Sequence, residues 1–296
     1  MKRIAVGICL LLGTLTLLGL TGCIPAEEAT LVSTETFAVG EDTVDLEILT
    51  SNGRVTVVGV EGQSTVEVTA TLRSRGSTAT EALLRVAQID VEMTQNGNGI
   101  VLRYDASDHP YDVRRYSGVD FLVTVPMLTN VDAETSNGRI EIHDLSGVLV
   151  LETSNGRIEV ADSLTELHAR TSNGPIAVEH VEGILDLRTS NGRIEMEGVD
   201  GIVDAETSNG AIWFSGMLFP EVDHRMVTSN SRIDLAIRSD ASLIINAQTS
   251  NGSIVSTLPL IGDISGNEWS AVLNPPATGT LTLQTSNGQI EMHGIF

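Results

Sequence analysis

The stretch RYDASDHPYDVRRY, Arg103 to Tyr116, gathers Asp105, Asp108, His109, Asp112, Arg114 and Arg115. A histidine among carboxylates could move protons, and arginine bases beside acidic groups that hold Ca²⁺ would suit a carbohydrate-active enzyme cleaving polysaccharide. Nothing in the sequence returns such groups to one face at a regular step, so the stretch reads as a solvated connecting loop. Glu197, Asp200 and Asp204 could hold a cation weakly, although an ordinary acidic turn accounts for them equally well. The six histidines show no metal-ligand spacing; His143 and His293 simply hold equivalent places in distant repeats. No Gly-Gly-x-Gly-x-Asp calcium repeat is present. No catalytic residue, metal or cofactor is therefore expected, and the protein reads as a non-enzyme.

One residue is marked for covalent chemistry. Lys2 and Arg3 precede an apolar run from Ile4 to Leu20, followed by Leu20-Thr21-Gly22-Cys23. A charged start, a short apolar middle and small residues before a cut site make a secretory signal over residues 1–22, too short for an ordinary spanning helix. The last four residues resemble the lipobox of bacterial lipoproteins, so Cys23 is expected to carry lipid and hold an exported protein on a membrane of the cell envelope. Ordinary cleavage with Cys23 left as a free thiol is the alternative. Cys9 lies in the leader, so the exported chain has no disulfide and no cysteine metal site.

Lys2 is the sole lysine, and its loss with the leader excludes Schiff-base and P-loop lysine chemistry. Net charge moves from 17 − 39 = −22 to 15 − 39 = −24 on removal of residues 1–22. Such a surface repels nucleic acid and anionic headgroups and favours cations or basic partners, while also keeping a strand-rich protein soluble. Membrane attachment would then rest on the Cys23 lipid. Residues 23–36 read as a tether reaching about 45 Å when extended.

The elements that must position these groups are repeats. Thr-Ser-Asn begins at 50, 135, 153, 171, 189, 207, 228, 249 and 285, with a dominant step of 18. Aligned on the Thr, the position two before it and the position five after it are apolar in every copy, as in Leu151 and Ile158 or Leu187 and Ile194. Alternation on both sides of Asn-Gly predicts two short strands with one face buried. Hairpins satisfy that pattern, but they gain nothing from identical corners. In a parallel solenoid equivalent residues stack about 4.8 Å apart, and identity becomes useful.

Asn137, Asn155, Asn173, Asn191, Asn209, Asn230, Asn251 and Asn287 could then form an amide ladder, with the inward threonines satisfying one another. Gly would follow Asn because the corner needs a positive φ, Ser231 being the exception. Arg139, Arg157, Arg193 and Arg232 lie two residues before Glu141, Glu159, Glu195 and Asp234, so adjacent columns would offset each other's charge. The expected fold is all-β: a parallel β-solenoid with about 18 residues per coil, with a β-sandwich or meander as the alternative. It would occupy 131–296, after an N-terminal β-rich section over 37–130 in which Thr78 to Glu81 form a capping box opening a short helix over a solenoid end. Ile295 and Phe296 would plug the other end. The 36-residue step to Thr285 could be two coils or one coil with an excursion.

The segments ILTSNGRVTVVGVEG (Ile48 to Gly62), DFLVTVPMLTNVDAETSNGRIEIHDLSG (Asp120 to Gly147) and the later TSNG-x-Ile copies resemble the bacterial DUF4097 family of adhesin-like β-strand repeat proteins. The resemblance covers nearly all of Glu35 to Phe296. It implies a β-solenoid envelope protein, often membrane-tethered, with no catalytic residues to carry over.

The pattern breaks at Trp213, which stands in an outward acidic column and precedes a three-residue extension containing Leu218 and Phe219. Either the extension folds over Trp213, or Trp213, Leu218 and Phe219 form an apolar contact for a protein or glycan partner. The function expected is a lipid-anchored, non-catalytic rod for surface contact, adhesion or envelope assembly; the alternative is an envelope-stress sensor that captures cationic peptides on its acidic surface.

Overall fold

The computed structural model of the chain describes residues 27–295. The expected signal segment 1–22 and Cys23 lie outside them, as does Phe296. The first strands are β1 (Glu27–Ala38), β2 (Val44–Thr50), β3 (Val55–Val60), β4 (Thr65–Gly76), β5 (Glu92–Asn96), β6 (Gly99–Tyr104) and β7 (Ser117–Pro126). The repeats supply β8 (Thr129–Thr135), β9 (Ile140–His143), β10 (Ser146–Thr153), β11 (Ile158–Thr171), β12 (Ile176–Thr189), β13 (Ile194–Thr207), β14 (Ile212–Leu218), β15 (His224–Thr228) and β16 (Ile233–Arg238). The last are β17 (Leu243–Thr249), β18 (Ile254–Ser256), β19 (Leu260–Asp263), β20 (Glu268–Leu273), β21 (Thr280–Thr285) and β22 (Ile290–Ile295). Helix α1 (Ala79–Val86) follows β4, and α2 (Tyr111–Tyr116) precedes β7.

These strands form an all-β solenoid, mostly parallel, in which like stacks on like. Ile158, Ile176, Ile194 and Ile212 are direct neighbours in successive rungs, and so are Thr153, Thr171, Thr189 and Thr207. One face runs β1, β4, β7, β3, β9, the first part of β11 to β13, then β14, β16, β22 and β18. The other runs β5, β6, β2, β8, β10, the second part of β11 to β13, then β15, β21, β17, β20 and β19. Ile158 and Val160 on the first face, with Leu167 and Ala169 on the second, belong to one continuous aliphatic core. Each fully buried Leu, Ile or Val adds about 1.5–3 kcal/mol of apolar transfer.

A rung turns at two places. One is the Thr-Ser-Asn corner; the other is a left-handed residue at Asp144, Asp162, His180 or Gly198, recurring at the 18-residue step. That second corner lets a 14-residue strand such as β12 bend across both faces.

Stack order departs from chain order at both ends. β2 and β3 sit between the β6/β7 rung and the β8/β9 rung, although residues 99–126 come later in the chain than β2 and β3. At the far end β21 and β22 slot between β15/β16 and β17/β18. The 36-residue step is thus one rung with an excursion: β19 and β20 leave the stack, and β20 closes back antiparallel on β17. Ile295 lies in the next-to-last rung and does not plug the end.

Residues 27–36, expected within a tether, are instead part of β1, which pairs antiparallel with β4 along its whole length. The alternation of Ala29, Leu31 and Phe37 with polar residues gives that strand an apolar side to lay on the body. Helix α1 packs on β1 and β4 through buried Ala82 and Val86. Thr78 Oγ1 accepts the Glu81 N–H, while the Glu81 carboxylate reaches back to the Ser77 N–H, which fixes the helix start.

Candidate functional site

The corner is the most repeated site in the molecule. Asn137 Nδ2 donates to Asn52 Oδ1, and the chain of amides continues through Asn155, Asn173, Asn191, Asn209, Asn230 and Asn287 to Asn251, with N···O distances of 2.7 to 2.9 Å. The threonines do not bond one another. Thr171 Oγ1 accepts the N–H of Gly174 in its own corner at 3.2 Å and donates to the Gly156 carbonyl of the rung before at 3.1 Å. Thr153, Thr189, Thr207 and Thr249 make the same pair of bonds. Each hydroxyl therefore closes its own turn and ties it to the neighbour.

The corner glycines are needed for space and not for φ. Left-handed glycines occur at Gly62, Gly97 and Gly198 among others, and at none of the Thr-Ser-Asn corners. A Cβ on Gly138, Gly156 or Gly174 would lie 1.6 Å from the carbonyl oxygen of the glycine below. The rungs are in backbone contact at these corners; Ser231 is the one corner that carries a side chain, and there Asn230 still bonds Asn209 at 2.8 Å.

Beside the corner, the second face carries a charged network. Asp186 meets Arg188 at 3.0 Å and Arg170 at 3.4 Å; Asp204 meets Arg188 at 2.5 Å and Arg225 at 3.4 Å; Arg225 reaches Glu206 at 2.7 Å. Burial opposes the charge on Asp204, but its bonds to Arg188 and Arg225 prevail and hold its carboxyl below the usual range. A shallow depression of about 340 Å³ runs along this edge past Ser154, Ser172, Ser190 and Ser208. Asp200 is separately occupied by the Met217 N–H at 3.0 Å. Asp204 and Asp200 are thus committed to protein partners, and no cation site forms with Glu197. Among the described residues no three His, Cys, Asp or Glu side chains converge as metal ligands. On the first face Arg139 bridges Glu141 at 2.8 Å and also reaches Glu159, and Arg157 and Arg193 bond Glu159 and Glu195.

The stretch from Arg103 to Tyr116, expected as a loop, runs from the end of β6 through a short 3-10 turn into α2, and is held by its own polar groups. Asp105 accepts from Ser107 N–H and Oγ, and these bonds keep its carboxyl below the usual range. His109 Nδ1 donates to the Asp105 carbonyl and Nε2 accepts the Asp90 N–H, both at 3.1 Å. Neither ring nitrogen is left to serve as an acid or a base. Arg114 and Arg115 lie over the Tyr111 ring. Arg115 also lines a cleft of about 250 Å³ with Arg73, Arg75, Asn52 and Tyr116.

Trp213 stacks between Glu195 and Asp234 and is half-buried. The extension does not cover it: Leu218 aligns with Gly201 at the other end of β14 and is buried, only 4% exposed. Phe219 is half-buried, its N–H bonded to the Gly201 carbonyl and its own carbonyl to His224 Nε2. Leu218 is therefore core, and the three residues do not form one surface patch. His224, which fastens the extension, was not singled out by the sequence. It is buried, with Nδ1 accepting the Val203 N–H at 3.3 Å, and burial lowers its pKa against the opposing pull of Phe219 and Asp223.

No protein-family model matches the chain, and no curated relative does. Solved structures that align with it include a candidate adhesin from Bacteroides fragilis NCTC 9343, at 12% identity over 89% of this chain and 97% of that one, TM-score 0.40. Others are a candidate cell adhesion protein from Clostridium sporogenes ATCC 15579, at 8% identity over 92% and 100%, TM-score 0.27, and a candidate adhesin from Parabacteroides merdae ATCC 43184, at 10% identity over 90% and 96%, TM-score 0.25.

Proposed function

We propose that the protein is an exported, membrane-anchored rod of the DUF4097 type that works without catalysis, presenting its side-chain columns to a protein or glycan surface in adhesion or envelope assembly. One observation carries this reading: from β10 to β13 the rungs stack in register and display exposed columns at a spacing of about 4.8 Å, the format of a lattice-like contact surface. The charged face is the better candidate, because Arg170, Arg188 and Arg225 alternate there with Asp186, Asp204 and Glu206 beside a row of serines and asparagines. Attachment is assigned to lipid on Cys23.

The test is crosslinking capture from envelope fractions. Arg170→Glu with Arg188→Glu should abolish capture of the parent's partner with the fold intact by circular dichroism, whereas Glu141→Gln on the opposite face should not. Equal capture by all three proteins would overturn the reading. For the anchor, Cys23→Ser should release the protein from membranes, and unchanged retention would overturn that assignment.

A further inference from the structure

The chain is strongly acidic, yet five of its arginines gather at one end. Arg73 and Arg75 on β4 and Arg115 on α2 line the cleft of about 250 Å³; Arg85 on α1 lies over the Tyr116 ring that also lines it, and Arg114 sits beside Arg115 on α2. The nearby carboxylates are already committed: Glu28 to Arg75 at 3.0 Å, Asp120 to Arg73 at 2.6 Å, and Glu81 to Arg85 at 2.5 Å, with Asp112 3.6 Å from Arg85. Arg114 and Arg115 have no carboxylate partner among the described residues, and their guanidinium groups lie over tyrosine rings. Around them stand exposed apolar groups: Leu83 and Leu84 on α1, Tyr111 and Tyr116 on α2. The two helices touch, with Arg85 over the Tyr116 ring at 4.9 Å.

This is also the end where the chain leaves the described body. Glu27 pairs with Gly76, just before the turn into α1. Cys23 is four residues from Glu27, so a membrane holding Cys23 lies within about 14 Å of that point. Because β1 takes up most of the expected tether, the body has no slack to stand away. Leucine, tyrosine and arginine together are the side chains that suit a headgroup layer: apolar tips at the acyl boundary, phenols at the interface, guanidinium forks on phosphate.

We propose that the α1/α2 end is a membrane-contact face that rests on anionic phospholipid headgroups through Arg114 and Arg115, with Leu83, Leu84, Tyr111 and Tyr116 at the interface. The remaining acidic surface is repelled by the same bilayer, so the rod projects outward from this end. The proposal rests on the membrane-anchored reading, and its test separates the two.

Leu84→Cys and, at the far end, Ser265→Cys each carry an environment-sensitive fluorophore in the lipidated full chain. The protein is reconstituted into phosphatidylethanolamine vesicles with about a quarter phosphatidylglycerol and nitroxide-labelled lipid. The probe at 84 should be blue-shifted and quenched several-fold more than the probe at 265. Arg114→Glu with Arg115→Glu should remove that difference while the protein still pellets with the vesicles. A pelleting protein whose probe at 84 is as unquenched as that at 265 overturns the proposal alone; a protein that does not pellet overturns the anchored reading and the proposal with it. A probe at 84 that shifts only when envelope proteins are added assigns the face to a protein partner and also overturns the proposal.

Discussion

Gly174→Ala tests the corner most directly. A Cβ at this position would sit 1.6 Å from the Gly156 carbonyl oxygen, so the rungs must part by at least 1.4 Å to reach even the 3.0 Å that real contacts respect. The obstacle is backbone in a ladder bonded on both sides, which cannot swing aside as a side-chain tip could. Overpacking of this kind costs about 1–3 kcal/mol. The movement also strains two hydrogen bonds, Gly174 N–H to Thr171 Oγ1 and Thr189 Oγ1 to the Gly174 carbonyl, each worth about 1 kcal/mol net. The sum is about 3–5 kcal/mol, or roughly 6–20 °C in Tm for a body of this size.

Urea unfolding followed by circular dichroism gives the number, and Gly97→Ala is the control. Gly97 has φ +61° and no atom near its virtual Cβ, so its substitution should cost only about 1 kcal/mol of backbone strain. Gly174→Asn separates the causes further. If φ governed the corner, Asn would be tolerated better than Ala; crowding makes it worse. A Gly174→Ala protein within about 1 kcal/mol of the parent would refute the close-contact argument.

Asn191→Ala in the middle of the amide ladder removes two ladder hydrogen bonds and a longer one to the Ser172 carbonyl, all exposed, and should cost about 1–2 kcal/mol in the same assay. Leu218→Ala should cost about 2–4 kcal/mol as a core truncation; a loss under about 1 kcal/mol in thermal melts would contradict the burial of the extension. His224 stays neutral in the folded state below its ordinary value of 6.5, so the unfolded chain takes up the proton first and stability must fall as pH drops below 6.5. Melts from pH 8 to pH 5 should show that component of the decline in the parent and lose it in His224→Gln.

The rung was legible in the sequence because each column repeats its residue type, and only stacking gives that repetition a physical return. The same identity hid the order of the rungs. Ile233, Ile254 and Ile290 are interchangeable as neighbours, so nothing in the columns says that the rung of Ile290 sits between the other two. Gly after Asn suggested a left-handed turn because that is the commonest reason for glycine there; the competing reason, contact between backbones, needs the neighbouring rung in place. The true left-handed corner was readable as Asp144, Asp162, His180 and Gly198 at 18-residue steps, residue types among which Asp, His and Gly tolerate positive φ. β1 passed for a tether because its apolar side is sparse. The hydrogen bonds of both His109 ring nitrogens, to Asp105 and Asp90, were not legible in the sequence because Asp90 lies 19 residues away.

The interleaved ends bear on how the chain reaches this state. Asn52 finds Asn137 across 85 residues, and Asn287 finds Asn230 across 57. Residues 280–295 must slide between two segments made before them, so the pairings of β15 and β17 with β21 wait until nearly all of the described chain has emerged. Assembly from one end, the natural route for a stack of like units, stops one rung short and leaves open strand edges until the late segment enters. Long-range closure of this kind is slow, and it makes the interval before the late segment enters the time of greatest exposure to mispairing. Once closed, the β17/β18 rung at the far end is continuous with chain on both sides, β16 before it and β19 after it, so it offers no loose strand by which it can be peeled away.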